Sequence, residues 1–154
     1  MPRSWAFEAR LDAPPDAVYA WMTDYQHDDH ANAHFQRGSK SSPKDRAKHN
    51  HRVVERRDER HLVVQDEWGR QTFRMEVELA PEAREVRIKG QFGYRGVWKA
   101  TPEGAGTLVT SRGALEPTGF AKLFASLFAS AFMKQMRADF EGHVEHMRAE
   151  LKAK

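Results

Sequence analysis

The stretch from Thr118 to Lys152 constrains the fold more than any other part of the sequence. It contains no proline and one interior glycine, at position 142. It also contains many Ala, Leu, Met, Lys, Arg and Glu residues, all of which favour a helix. A single helix of this length would be roughly 50 Å long, at about 1.5 Å per residue. The sequence therefore predicts one long helix that extends past the core of a small domain.

The apolar residues of this predicted helix form two stripes instead of one. A ladder of apolar residues at every fourth position drifts around the helix, because each step of four residues rotates by about 40°. The C-terminal stripe is predicted to pack on the rest of the fold and consists of Met136, Phe140, Val144, Met147 and Leu151. The N-terminal stripe would then face another way and consists of Phe120, Leu123, Phe124 and Leu127.

The N-terminal stripe needs a covering surface, because large apolar patches are rarely left in water. The expected cover is either a second copy of the chain, as a homodimer, or a position as a gate over an internal cavity. A peripheral membrane contact is an alternative. A further alternative is a helix that bends or breaks between Ser126 and Met133.

Seven segments before the helix alternate apolar and polar residues with a period of two, which is typical of strands with one buried face. The clearest alternation runs from Gln71 to Leu79. The other segments are residues 4–11, 49–57, 60–68, 85–92, 94–100 and 107–115. A short helix is predicted to begin at Pro15, and residues 27–35 are expected to form a second short helix or an ordered loop. This order predicts an α+β fold in which a seven-stranded antiparallel sheet packs against the long helix.

Composition excludes several classes of protein. The chain has no cysteine, so neither a disulfide framework nor a thiolate metal site is expected. The first residues lack the apolar run of a signal peptide, which predicts a cytoplasmic protein, and no apolar run is long enough to span a bilayer. Residues 37–60 are rich in Lys and Arg but have few aromatic residues for stacking on bases, so nucleic-acid binding is not expected. The length predicts one domain over residues 1–154.

Three parts of the sequence resemble a known superfamily. They are the entry segment from Leu11 to Tyr25 (LDAPPDAVYAWMTDY), the strand pair from Trp98 to Val109, and the closing amphipathic helix. Together they resemble the START-like, or polyketide cyclase/dehydrase-like, superfamily, whose helix-grip fold also occurs in Bet v 1-type allergens. The resemblance implies a cavity between the sheet and the long helix that holds an apolar or amphipathic small molecule. It implies a fold better than a function, because members include enzymes, carriers and partner-binding domains.

Strand periodicity and this resemblance together suggest which side chains line the cavity. We expect Asp66, Tyr94 and Arg112 to be its polar groups, because each shares strand parity with apolar neighbours. Asp66 and Arg112 could instead pair with each other or lie at exposed strand ends. The full set of cavity candidates is His51, Asp66, Trp68, Phe73, Met75, Ile88, Tyr94, Trp98, Thr110, Arg112, Phe128, Phe132 and Met136.

A metal site is a minor hypothesis. His27, His30 and His34 lie close together among aspartates, and two of them are one helical turn apart, a spacing that suits zinc. A solvent-exposed polar helix explains the same pattern, so we expect neither a metal nor another cofactor.

The sequence supports three functions. The first is binding of a hydrophobic small molecule, lipid- or polyketide-like, without transforming it. The second is a cyclase- or dehydratase-like enzyme that uses Tyr94, Asp66 or His51 as an acid or base. The third is an interaction module that uses the Phe-rich start of the long helix. No catalytic signature motif is present, so the sequence favours binding over catalysis.

Overall fold

The computed structural model describes residues 3–24, 49–68, 71–119 and 121–152. In chain order, the elements are β1 (Arg3–Leu11), α1 (Pro15–Met22), β2 (His49–Arg56), β3 (His61–Trp68), β4 (Gln71–Ala80), β5 (Glu85–Gly90), a 3₁₀ turn (Gln91–Gly93), β6 (Tyr94–Glu103), β7 (Gly106–Leu115) and α2 (Ala121–Lys152). The strands form one seven-stranded antiparallel sheet with the order β1-β7-β6-β5-β4-β3-β2. The predicted fold class, a helix-grip sheet with a long C-terminal helix, is therefore confirmed.

One face of the sheet packs against the helices and is called the inner face below. On β7 the inward residues are Thr107, Val109 and Ser111, which are all at most 2% exposed. Their register partners continue the same face, since Ser111 pairs with Phe7 on β1 and with Trp98 on β6. Because successive side chains of a strand alternate between faces, this register assigns the inner face of every strand.

Helix α1 closes one end of the inner face. It begins after Pro14 with Pro15 in its first turn, where a missing backbone N–H costs nothing. Its residues Val18, Trp21 and Met22 are buried in the core. The Thr107 hydroxyl donates a hydrogen bond of 2.6 Å to the Ala13 carbonyl oxygen, which ties the start of α1 to β7.

The C-terminal half of α2 covers the same end of the sheet. Phe140, Val144 and Met147 are buried, and Phe140 packs between the rings of Phe7 and Trp98 at centroid distances of 5.5 and 5.4 Å. Met136 and Leu151 are half-buried against this core. The predicted packing of the C-terminal stripe is thus confirmed.

The outer face of the sheet is charged. Arg10 pairs with Glu103, and Arg87 pairs with Glu78 and with the half-buried Glu85. Exposed ion pairs of this kind contribute little to stability, on the order of 0–1 kcal/mol each. They satisfy the polar side of each alternating strand and leave the apolar side for the core.

Two predictions about helices have different outcomes. Helix α2 is continuous from residue 121 to residue 152, so it does not break between Ser126 and Met133. The second short helix, predicted over residues 27–35, lies outside the described residues. In the N-terminal stripe, Leu123 is 68% exposed, while the side chains of Phe120, Phe124 and Leu127 lie outside the described part of the structure.

Candidate functional site

The inner face is filled unevenly along the sheet. At the α1 end the central side chains Val18, Val109 and Met147 are 0% exposed, and half-buried residues such as Tyr19 and Leu151 lie at its rim. Towards the N-terminal half of α2, the apolar side chains pack against this core but stay half-buried: Met75, Ile88, Tyr94, Phe132, Met133 and Met136. These six residues, together with the buried ring of Trp5 that they contact, are called the aromatic wall below and form the candidate site.

Three aromatic rings organise the aromatic wall. Trp5 on β1 stacks on Tyr94 of β6 with ring centroids 5.5 Å apart and an interplanar angle of 28°. Phe132 of α2 meets Trp5 edge to face, with centroids 6.1 Å apart at 67°. Both arrangements are favoured by the quadrupoles of aromatic rings. The wall thus joins the sheet and the helix through one continuous aromatic surface.

Glycines on β6 and β7 make room for these rings. Gly96 and Gly113 are register partners, and Trp5 is the partner of Gly113 on the other side. A Cβ at Gly113 would overlap the Trp5 ring, and a Cβ at Gly96 would lie 3.2 Å from the Tyr94 hydroxyl oxygen. Gly93 has a different role, since its φ of 72° forms the turn between β5 and β6, where its carbonyl accepts a hydrogen bond from Glu116 N.

Two polar groups buried on the inner face already have partners. The Trp5 indole Nε1 donates to the Ser111 hydroxyl oxygen at 3.3 Å, and Thr107 donates to the Ala13 carbonyl. Buried polar groups require such partners because an unsatisfied one costs about 1–3 kcal/mol. The polar groups next to the aromatic core are therefore structural.

Tyr94 differs from these two residues. Burial, together with the nearby carboxylate of Asp139, raises the pKa of its hydroxyl to about 12. Within the part of the chain that the structure describes, no hydrogen-bond partner is found for the Tyr94 hydroxyl. At neutral pH the group is a phenol and a hydrogen-bond donor, and it is unsuited to act as a base.

Helix α2 adds two polar side chains that the sequence analysis missed. Asp139 accepts a hydrogen bond of 2.8 Å from Gln135 Nε2 and acts electrostatically on Tyr94. His143 lies edge-on to Trp98 with ring centroids 5.7 Å apart. Both residues continue, at helical spacing, the face of α2 that carries Phe132 and Met136. The helical spacing of Asp139 and His143 could have placed them on this face from the sequence. The prediction considered only the apolar residues of the helix.

The predicted cavity candidates divide into three groups. The first lies on the inner face or its covering helix, and comprises Phe73, Met75, Ile88, Tyr94, Trp98, Phe132 and Met136. The second lies on the inner face by strand register alone, since His51 pairs with Asp66, Asp66 pairs with Phe73, and Trp68 shares their parity. The side chains of this second group, and of Phe128 on α2, lie outside the described part of the structure.

The third group, Thr110 and Arg112, was assigned to the wrong face. On β7 the inward positions are 107, 109 and 111, so the even-numbered residues point to the outer face. Arg112 is exposed there. The prediction failed because an alternating strand shows two equivalent sets of positions, and only pairing with β1 and β6 decides which set is buried. The proposed pairing of Asp66 with Arg112 fails for the same reason.

No metal centre is supported by the described residues. His27, His30 and His34 all lie outside them. Among the residues that are described, no group of three or more His, Asp or Glu side chains could hold a metal ion.

A concavity exists on the outer face of the sheet. It is a shallow groove of about 360 Å³ beside Val63, and charged side chains such as Arg57, Arg74 and Glu76 surround it. Such a lining suits water and ions better than an apolar molecule. The aromatic wall is therefore the better candidate for a ligand site.

The sequence from residue 5 to residue 152 matches the model of a protein family described as polyketide cyclase / dehydrase and lipid transport. The chain belongs to this family. The match covers nearly all of the described elements, including both helices. It agrees with the superfamily that the entry segment and the closing helix resemble.

Solved structures share the fold of this family member at low sequence identity. A protein of Thermus thermophilus aligns with a TM-score of 0.67 and 22% identity over 98% of each chain. The Zhui aromatase/cyclase from a Streptomyces species aligns with a TM-score of 0.70 and 13% identity, over 96% of this chain and 95% of the other. Ara h 8.0201, of the Bet v 1 type, aligns with a TM-score of 0.59 and 11% identity, over 96% of this chain and 99% of the other. No curated protein matches the sequence.

Neither helix that the structure describes is long and apolar enough to cross a bilayer.

Proposed function

We propose that the chain binds a hydrophobic or amphipathic small molecule at the aromatic wall, between the inner face of the sheet and α2. One observation carries this proposal: the fully buried side chains of both helices lie at the α1 end, whereas a contiguous group of large apolar side chains stays half-buried around the N-terminal half of α2. Met75, Ile88 and Phe132 belong to that half-buried set. A ligand that covered them would remove apolar surface from water.

Burial of apolar surface contributes about 25 cal/mol for each Å², and the part that exceeds the entropic cost of association appears as binding free energy. The half-buried rings of Tyr94 and Phe132 also offer aromatic surface, which suits contact with a flat ligand. Glycines beneath the rings of Trp5 and Tyr94 keep the sheet close to the site.

The family supports the same class of ligand. Its description names polyketide cyclases, dehydrases and lipid transport, and one similar fold belongs to an aromatase/cyclase. A lipid- or polyketide-like molecule is therefore the ligand that we propose. Binding as such needs no cofactor, and a cytoplasmic location stays a prediction.

Native mass spectrometry of protein purified from its own host tests the proposal. We expect a small hydrophobic molecule to remain bound and to raise the melting temperature when added back, because a ligand that binds only the folded state stabilises it. Ile88→Trp should fill the space beside Gly96, its register partner, and weaken binding more than tenfold. Val54→Trp, at an exposed position, is the matched control. Equal binding by both variants would contradict the proposed site.

A second candidate is an enzyme of the cyclase or dehydratase type. The observation that favours it is that polar groups occur at two places along the inner face: Tyr94 with the nearby Asp139, and His143 against the ring of Trp98. Tyr94 would donate a proton, and Asp139 or His143 would accept one. His51 and Asp66, which share the inner face by register, are further candidates. A change in mass of the added ligand on incubation with the protein would favour catalysis over simple binding.

A third candidate is interaction through the start of α2. Leu123 is 68% exposed there, which favours contact with another surface. A second copy of the chain is the partner that we propose for the stripe of Phe120, Leu123, Phe124 and Leu127, and a peripheral membrane contact is the alternative. The test is whether Leu123→Ser self-associates more weakly than the wild type in sedimentation experiments.

A further inference from the structure

We propose that the Tyr94 hydroxyl selects a neutral ligand that carries an oxygen acceptor, such as a ketone, over a plain hydrocarbon or an anionic ligand. This inference rests on the proposed function, because it concerns which molecule the aromatic wall accepts. It is carried by the position of one hydroxyl group for which the described residues provide no hydrogen-bond partner.

The Tyr94 hydroxyl is held at one place on the inner face. The ring of Tyr94 is held by stacking on Trp5, and its oxygen lies over Gly96, where an added Cβ would be only 3.2 Å away. An aromatic ring held by stacking and by a close strand backbone has little freedom to turn its hydroxyl elsewhere. The O–H group is therefore presented at a defined place on the inner face.

The hydroxyl residues buried near Tyr94 already have hydrogen-bond partners of their own. Ser111 and Thr107, the buried hydroxyl residues nearest in the register, are engaged with Trp5 and with the Ala13 carbonyl. No hydrogen bond of the Tyr94 hydroxyl is found among the described residues. A ligand oxygen at this place would accept a hydrogen bond from the hydroxyl, which a CH₂ group cannot do, so a ligand with an acceptor is favoured over a plain hydrocarbon.

The negative charge of Asp139 affects which ligands the Tyr94 hydroxyl can accept. The carboxylate of Asp139 is near enough to act on the Tyr94 hydroxyl, and burial strengthens electrostatic effects. An anionic head group at the hydroxyl would be repelled by this carboxylate. A neutral carbonyl or ether oxygen accepts the hydrogen bond without that repulsion.

Three probes of matched shape test the inference. Fluorene and 9-fluorenone differ by a CH₂ group against a carbonyl, and 9-fluorenone-4-carboxylate adds a negative charge. Dissociation constants are measured for wild type, Tyr94→Phe and Tyr19→Phe, the last being a hydroxyl deletion on α1, away from the wall. The quantity compared is the fluorenone-to-fluorene ratio in each protein, which cancels the different solubilities of the two probes.

We expect Tyr94→Phe to reduce the preference for fluorenone by about 3- to 10-fold, the range that one net hydrogen bond supplies, while fluorene binding is unchanged. Tyr19→Phe should keep the wild-type ratio. Asp139→Asn should strengthen binding of the carboxylate probe relative to fluorenone. A ratio unaffected by Tyr94→Phe would overturn this inference and leave the proposed function standing. Failure of the wild type to bind any of the three probes would overturn both.

Discussion

Trp5 and Gly113 are directly paired across β1 and β7, and the indole ring of Trp5 occupies the space that a side chain at position 113 would need. The same ring stacks on Tyr94 and meets Phe132 edge to face. The ring of Trp5 can therefore contact Tyr94 and Phe132 only because position 113 of β7 has no Cβ.

Gly113→Ala should therefore destabilise the protein by about 1–3 kcal/mol, since the added Cβ overlaps both the Trp5 ring and the Arg95 carbonyl oxygen. Gly96→Ala is the matched control, because its Cβ would meet Tyr94 and Trp5 atoms only at 3.2 Å or more and so should cost less. Urea unfolding followed by tryptophan fluorescence measures both. Equal losses for the two variants would show that the Trp5 ring has room to move.

Trp21→Phe should weaken the attachment of α1 to α2. The Trp21 indole Nε1 donates a hydrogen bond of 2.7 Å to Glu150 Oε2, and Glu150 Oε1 lies 2.8 Å from His146 Nε2. We expect a loss of about 1.5–3 kcal/mol in the free energy of unfolding, because the acceptor is charged and partly buried. Glu150→Gln keeps an acceptor oxygen and should lose less. The idea fails if the glutamine variant is the less stable of the two.

Stability at high pH should depend on Tyr94. Its pKa is about 12 in the folded protein, against an ordinary value of about 10 in the unfolded chain. Above about pH 10 the unfolded chain therefore loses this proton first, so the free energy of unfolding falls as the pH rises towards 12. Tyr94→Phe should show a shallower fall over this window in urea melts. A slope identical to that of the wild type would contradict the raised pKa.

Leu123→Ser should leave the free energy of unfolding within about 0.5 kcal/mol of the wild type, because the side chain is 68% exposed. If the start of α2 contacts a second copy, the variant should also self-associate more weakly in sedimentation experiments over a range of concentrations. Phe140→Ala, at a position 5% exposed, is the contrasting variant and should lose about 3–5 kcal/mol. A wild-type protein that stays monomeric at all concentrations would exclude the dimer.

Much of the fold could be predicted from local patterns. The alternation in β4, with Phe73, Met75 and Val77 on one side, reflects the two-residue repeat of a strand, which needs no knowledge of distant residues. The stripe of Phe140, Val144 and Met147 likewise reflects the helical repeat, and it packs on the sheet as expected. Both features depend on neighbours within one element, so the sequence alone contains them.

The candidate site was predicted less completely. Tyr94 and Trp98 were placed correctly on the inner face. Thr110 and Arg112 were assigned to it wrongly, because alternation defines two sets of positions on a strand and only the paired strands decide which set is buried. Asp139 and His143 were missed, since a polar residue on a helix is normally a solvent-exposed one. Only the packing of α2 across the sheet brings them to the inner face.

The sequence by itself therefore determined the element order, the antiparallel sheet and the long covering helix, since these follow from periodicity and turn residues along the chain. The tertiary structure alone decided which face of each strand is buried, why Gly113 faces Trp5, and how the Tyr94 hydroxyl comes to lie near Asp139. These relationships join residues tens of positions apart. Their energies come from steric exclusion and electrostatics between groups whose proximity exists only once the sheet has closed against α2.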